Sequence, residues 1–261
     1  MGKKINRLWP FVFLLAVSCN SDCKLEAVPC SRLLIFLDKS VSVNGQDARL
    51  EARVEYALTP ILYSKISNTN DYVEVHLIHG ESIGAKALLQ KTWEETPPCE
   101  ATMGPDTYRQ EEQDYNNRLK KFRNEIKSEL LGQLNQQVIG AVVNETDMLG
   151  TLEVISDFIN NSKPGEKNTV VFFSDMVHSK DEPRDYHEKP IIDLTEAEMC
   201  AKKDFEWLKT NHKVDPKAFD NLDLKIRFTA GEYDKTQNES MRYYWNALFR
   251  EVNPLTRVDI Q

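Results

Sequence analysis

Leu33-Leu34-Ile35-Phe36-Leu37-Asp38-Lys39-Ser40-Val41-Ser42 sets an unbroken apolar run against an abrupt acid and two hydroxyls at alternate positions. Such a run reads as a strand buried on both faces, as in the interior of a parallel sheet. Asp38, Ser40 and Ser42 then fall just past its carboxyl end, where open α/β sheets bind ligands. A carboxylate and two hydroxyls are hard oxygen donors and suit a magnesium-type ion. The pattern recurs. Thr169-Val170-Val171-Phe172-Phe173 is a second continuous apolar strand, and it runs into Ser174-Asp175.

Working outward, the first strand covers about residues 32–37. Residues 46–66 place Leu50, Val54, Ala57, Leu58, Ile61 and Leu62 at helical spacing, with Pro60 expected to kink or shorten the helix. Tyr72 to Ile78 alternates with period two and predicts a strand, with an edge strand returning beside it over 87–93. Thr96 to Thr107 is a proline-rich loop. Over 107–136, Tyr115, Leu119, Phe122, Ile126, Leu130 and Leu134 form the apolar stripe of a long amphipathic helix, read as core packing. Thr146 or Asp147 can cap the next helix, which carries Leu149, Leu152, Ile155 and Ile159. A polar loop over 179–193, a helix from Thr195 to Lys209, a strand from Leu222 to Phe228 and an aromatic helix from Ser240 to Val252 follow. Alternating strands and helices predict one α/β domain over 31–261, with a mostly parallel central sheet, helices on both faces and a long helical insertion at about 97–140.

If the acid-terminated strands are neighbours, their loops and the Thr146 loop meet at one end of the sheet. They then supply two carboxylates and three hydroxyls around a small cavity. This arrangement resembles the von Willebrand factor type A domain and its metal-ion-dependent adhesion site. Asp38-Lys39-Ser40-Val41-Ser42 matches that family's Asp-x-Ser-x-Ser motif, Thr146 stands where it places a threonine before a helix, and Asp175 stands where it ends the next buried strand with an aspartate. The resemblance implies a three-layer, Rossmann-like fold. It also implies a Mg2+ (or Mn2+ or Ca2+) site in which Ser40 and Ser42 bind through their hydroxyls and Thr146 binds directly or through water. Asp38 and Asp175 would act mostly through water or hydrogen bonds to other ligands. Two departures stand out: Asn144-Glu145 precede Thr146 where glycines are common, and Met176 follows Asp175 where glycine is usual.

The N-terminus reads as a targeting segment. Lys3, Lys4 and Arg7 precede a short apolar stretch, Leu8 to Val17, too short to span a bilayer. Leu15-Ala16-Val17-Ser18-Cys19 resembles a bacterial lipoprotein signal, which implies cleavage after residue 18, lipid modification (palmitate included) of Cys19 and a tether over 19–30. Asn20 follows the cysteine, so the aspartate of inner-membrane retention is absent and the outer membrane is the expected location. Loss of residues 1–18 would remove three positive charges and no negative ones, moving the formal charge from −8 to −11. An acidic mature chain argues against nucleic acid as a partner. Cys23, Cys30, Cys99 and Cys200 then remain, an even number that permits two disulfides in an exported chain; of three pairings, Cys23–Cys30 with Cys99–Cys200 is preferred.

The expected activity is divalent-cation-dependent binding of another protein, whose acidic side chain completes the metal shell, by a chain held in the bacterial cell envelope through its lipid. No turnover is expected. The same fold without metal, serving as an envelope scaffold, is the alternative. A phosphohydrolase using Asp38 as nucleophile is a weaker one, because Ser40 stands where a titratable acid/base would be needed. Asp38 and Asp175 could also simply cap the turns after their strands, with Ser40 and Ser42 as solvated loop hydroxyls. His76 and His79 lie three apart on a strand and make a poor metal pair. His178 is read as a solvated loop residue rather than part of the rim.

Overall fold

The computed structural model describes residues 28–38, 50–80, 86–135, 145–228 and 235–261. Within them, strands β1 (Ser31–Asp38), β2 (Tyr72–Ile78), β3 (Leu89–Thr92), β4 (Lys167–Ser174), β5 (Asp223–Phe228) and β6 (Arg257–Ile260) form one sheet. The order is β3-β2-β1-β4-β5-β6, with every neighbouring pair parallel except β2 and β3. The chain therefore winds outward from β1 to β3, then crosses to the far side of β1 and winds outward again from β4 to β6. The winding reverses between β1 and β4.

Helices α1 (Leu50–Lys65) and α2 (Pro105–Asn135) cover one face of the sheet; α3 (Thr151–Asn160), α4 (Leu194–Asn211) and α5 (Lys235–Val252) cover the other. The expected three-layer α/β architecture is what forms. β1 shows why its sequence is apolar throughout. Leu33, Ile35 and Leu37 pack beneath α1 and α2, while Leu34 and Phe36 face α3 and α5. Phe36 and Phe172 stack at 4.8 Å on the second face. β5 is different. Leu224 and Ile226 are buried, while Asp223, Lys225 and Arg227 are only partly so.

α2 carries the predicted stripe: Tyr115, Leu119, Ile126, Leu130 and Leu134 are buried and Phe122 is partly so. Its first ten residues, 105–114, make no such contact; all are exposed except the partly covered Tyr108.

Several local expectations change. Pro60 neither shortens nor ends α1, which continues to Lys65. Neither Thr146 nor Asp147 caps α3: Gly150 occupies the cap position without a side-chain bond. The Asp147 carboxylate instead accepts from Gly150 N at 2.9 Å, closing the tight turn before the helix. α4 starts one residue before Thr195, capped by Asp193. Asp193 accepts from Glu196 N at 2.8 Å and Glu196 from Ile192 N at 2.9 Å, a reciprocal arrangement close to the capping box. β6 was not anticipated; Arg257-Val258-Asp259-Ile260 alternates over too few residues to stand out.

The preferred disulfide pairing does not form. Cys30 and Cys200 are free thiols, whereas Cys99 is disulfide-bonded. Cys99 sits on the loop leading to α2, and Cys200 is buried on α4 across the sheet. A disulfide needs adjacent Cα atoms, which that placement denies. Cys30 lies near Thr69, its Sγ 3.5 Å from that carbonyl oxygen. Cys19 and Cys23, like the whole proposed signal segment, lie outside the described residues.

Candidate functional site

Asp38 is the last residue of β1, and Ser174 is the last of β4. The strands run parallel in a register that pairs Leu37 with Phe173, so the next residue of each stands at the same level. Both are fully buried, and Ser174 Oγ donates to Asp38 Oδ2 at 2.6 Å. Asp175 follows immediately, 5% exposed, with Oδ1 accepting from Val177 N at 3.0 Å. These acids thus stand at the carboxyl ends of the two strands between which the winding reverses, Asp38 as the last residue of β1 and Asp175 as the first after β4. That position opens a crevice in doubly wound sheets.

Thr146 reaches the same rim from another segment. Its N–H donates to Ser179 Oγ at 2.7 Å, and Ser179 N returns a bond to Thr146 O at 3.0 Å. Asp147 N donates to His79 O, just past β2, at 3.1 Å, and Met148 Sδ lies 3.7 Å from Ser174 Oγ. The segment around Thr146 therefore bridges the loops after β2 and β4 and touches the serine that holds Asp38. Glu145, in the place where glycines were considered, packs on Gly80: a Cβ added there would stand 3.2 Å from the Glu145 Cβ. Ser40 and Ser42 lie outside the described residues.

Met176 stands where a glycine is usual, and it keeps a glycine-like backbone, with φ +63°. The left-handed region costs an L-residue about 1–2 kcal/mol. Met176 is fully buried, its N–H donates to Ser174 Oγ at 2.7 Å, and its carbonyl accepts from Trp245 Nε1 of α5 at 2.8 Å. Burial and bonds on both sides of the residue hold it in that conformation.

His178 is fully buried, so its reading as a solvated loop residue is corrected. Its loop is not a free polar connection but a packed strap carrying Tyr186 and Ile191 into the core. His178 Nε2 lies 3.0 Å from Glu182 O, and its Nδ1 has no partner. Burial holds its pKa below the usual imidazole value, opposed by the Glu182 carbonyl and by Asp147 and Asp204. Deeper still, Asp204 accepts from the phenols of Tyr186 and of Tyr244, the latter at 2.6 Å. Burial raises the Asp204 pKa even though both phenols favour its charged form. Nearer the rim, Lys180 pairs with Asp147 at 3.2 Å.

Ser174, Ser179, Asp147 and Trp245 thus organise the rim, and none was singled out for that role from sequence. The Ser-Asp ending of β4 was the one available signal. The oxygen donors described here, Asp38, Thr146 and Asp175, have the hard chemistry that magnesium or manganese prefers. Among the described residues no group of three or more His, Cys, Asp or Glu side chains could hold a metal, so such an ion would need hydroxyl ligands too. The described helices also include none long and apolar enough to cross a membrane.

No family model and no curated protein matches the sequence. Among solved structures, the chain is similar to the manganese-loaded Plasmodium vivax TRAP protein, at 10% identity and TM-score 0.40, over 89% of this chain and 68% of that one. It is also similar to the pilus adhesin SpaC from Lactobacillus rhamnosus GG in an open conformation, at 13% identity and TM-score 0.41, over 90% of this chain and 28% of that one. Proximal thread matrix protein 1 from the mussel byssus matches at 10% identity and TM-score 0.36, over 87% of this chain and 47% of that one. Likenesses this remote fix neither the family nor the activity of the chain.

Proposed function

We propose that this protein binds another protein through a divalent cation held at the β1/β4 rim, as part of adhesion or assembly at a bacterial cell envelope. Asp38, Ser40, Ser42, Thr146 and Asp175 are the proposed ligand set, with Asp38 and Asp175 acting largely through water or neighbouring hydroxyls. The cation, when bound, supplies a concentrated positive charge that an acidic side chain of the partner completes. The chain's own residues fix the oxygens and exclude bulk water. The observation that carries this reading is the meeting of Asp38, Asp175 and the Thr146 segment at the strand-order reversal, tied together by Ser174 and Ser179. A lipid on Cys19 would hold the domain at the membrane, and loss of labelled-palmitate incorporation in Cys19→Ser tests that part.

The cation is tested by thermal unfolding of the parent and of Asp38→Ala with Mg2+, Mn2+ or EDTA. At a hundredfold excess over Kd, a ligand specific to the folded state adds about 2.7 kcal/mol, a rise of roughly 5–10 °C for a domain of this size. The parent should show that rise and Asp38→Ala should not. A parent indifferent to both ions leaves the metal-free scaffold as the better reading, and turnover of a generic phosphate ester would favour the phosphohydrolase.

A further inference from the structure

We propose that Trp245, Met176 and Ser174 form a positioning relay that sets the orientation of Asp38 from helix α5; the inference rests on Asp38 being part of the cation site. A serine hydroxyl has one proton to give. Met176 N–H donates to Ser174 Oγ, so that proton is left for Asp38 Oδ2. The direction of the Met176 N–H depends on its left-handed backbone, a conformation that survives only where the surroundings hold it. Trp245 provides the hold. Its indole N–H binds the Met176 carbonyl, and its ring is buried between Tyr244 and Phe249, at 5.3 and 5.6 Å. The line of bonds therefore runs from Trp245 Nε1 to Met176 O, and from Met176 N through Ser174 Oγ to Asp38. Every side chain and backbone group in it is buried, so water does not compete for the bonds.

The physical consequence is a carboxylate oriented before any ion arrives. A group already held in its bound position loses less freedom on binding. A residue following Asp175 must supply an N–H in this direction. Glycine would do so without steric cost, whereas this chain uses methionine and an indole donor from a helix that bears none of the proposed ligands.

The test uses the purified full chain as parent, Ser174→Ala, Ser174→Thr and Trp245→Phe. Mn2+ binding is followed by electron paramagnetic resonance. In EDTA, amide hydrogen exchange is followed at Met176. Ser174→Ala should weaken Mn2+ binding about tenfold, the scale of one lost hydrogen bond to a charged group. Trp245→Phe should weaken it severalfold, and Ser174→Thr, which restores a hydroxyl, should stay within about twofold of the parent. Met176 exchange should quicken at least about tenfold in Ser174→Ala and in Trp245→Phe, since each removes a bond that holds its peptide. Parent-like Mn2+ affinity in both variants overturns the relay. If the parent takes up no Mn2+, the proposed cation site falls, and exchange in EDTA alone decides: quickening supports the relay, and unchanged rates overturn it.

Discussion

Asp204 on α4 and Asp259 on β6 are both held by two neighbours, yet they are built on opposite terms. Asp204 is 3% exposed and accepts from two buried phenols. The Asp259 side chain is 41% exposed and faces two cations, Arg227 at 2.8 Å and Lys225 at 4.0 Å. Opposite charges meet only at Asp259, but water screens them and solvates each partner when they separate. At Asp204 nothing replaces the carboxylate. Removing it takes from two buried phenols the acceptor they share, so burial, more than partner charge, decides which aspartate the fold depends on.

The comparison can be broken in three places. Asp204→Ala should cost about 2–4 kcal/mol, from loss of the acceptor that both phenols share and from the space left behind, read from guanidinium unfolding midpoints. A loss below that of Asp259→Ala would invert the argument. Next comes pH. Burial depresses the folded pKa of His178, so the folded state refuses a proton that the unfolded imidazole accepts below its ordinary value of about 6.5. Stability from His178 is therefore present above that pH and is lost as pH falls. Asp204 opposes it: its raised pKa lets the folded state take a proton more readily than the unfolded one, which favours the fold on acidification. Between pH 7 and 5.5, His178→Gln should flatten the fall in urea midpoint, by less than the full effect of Asp204→Ala; an unchanged slope would show that His178 does not contribute. The smallest effect belongs to Asp259→Ala, about 0–1 kcal/mol and further reduced in high salt. A salt-independent loss above that range would mean the β5–β6 surface is not solvated as described.

The same contrast separates what sequence makes legible from what it hides. β1 and β4 are sandwiched between helical layers and need apolar residues through their buried centres, so their runs were readable, as was the acid that follows each run. β5 is covered on one face and alternates, again readable. β6 repeats that alternation over four residues, too few to separate from loop. Thr146 was legible as a group near the rim, but its anchoring was not: Ser179 lies 33 positions away, and only the folded strap brings it back. His178 was misread for the same reason, since a run of polar residues conceals the burial imposed by Tyr186 and Ile191. Met176 was visible as a departure from glycine. That it would keep the left-handed backbone depends on Trp245, 69 positions away.

The length of α2 carries a consequence of its own. Thirty-one residues rise about 46 Å at 1.5 Å each, whereas an eight-residue strand spans about 26 Å. The helix cannot be matched to the sheet it covers, and its first ten residues overhang by about 15 Å. An isolated helix that short is marginal in water, so the overhang winds only because the anchored turns beyond Tyr115 template it. On warming, this spur is expected to fray from Pro105 inward before the layers beneath lose their packing.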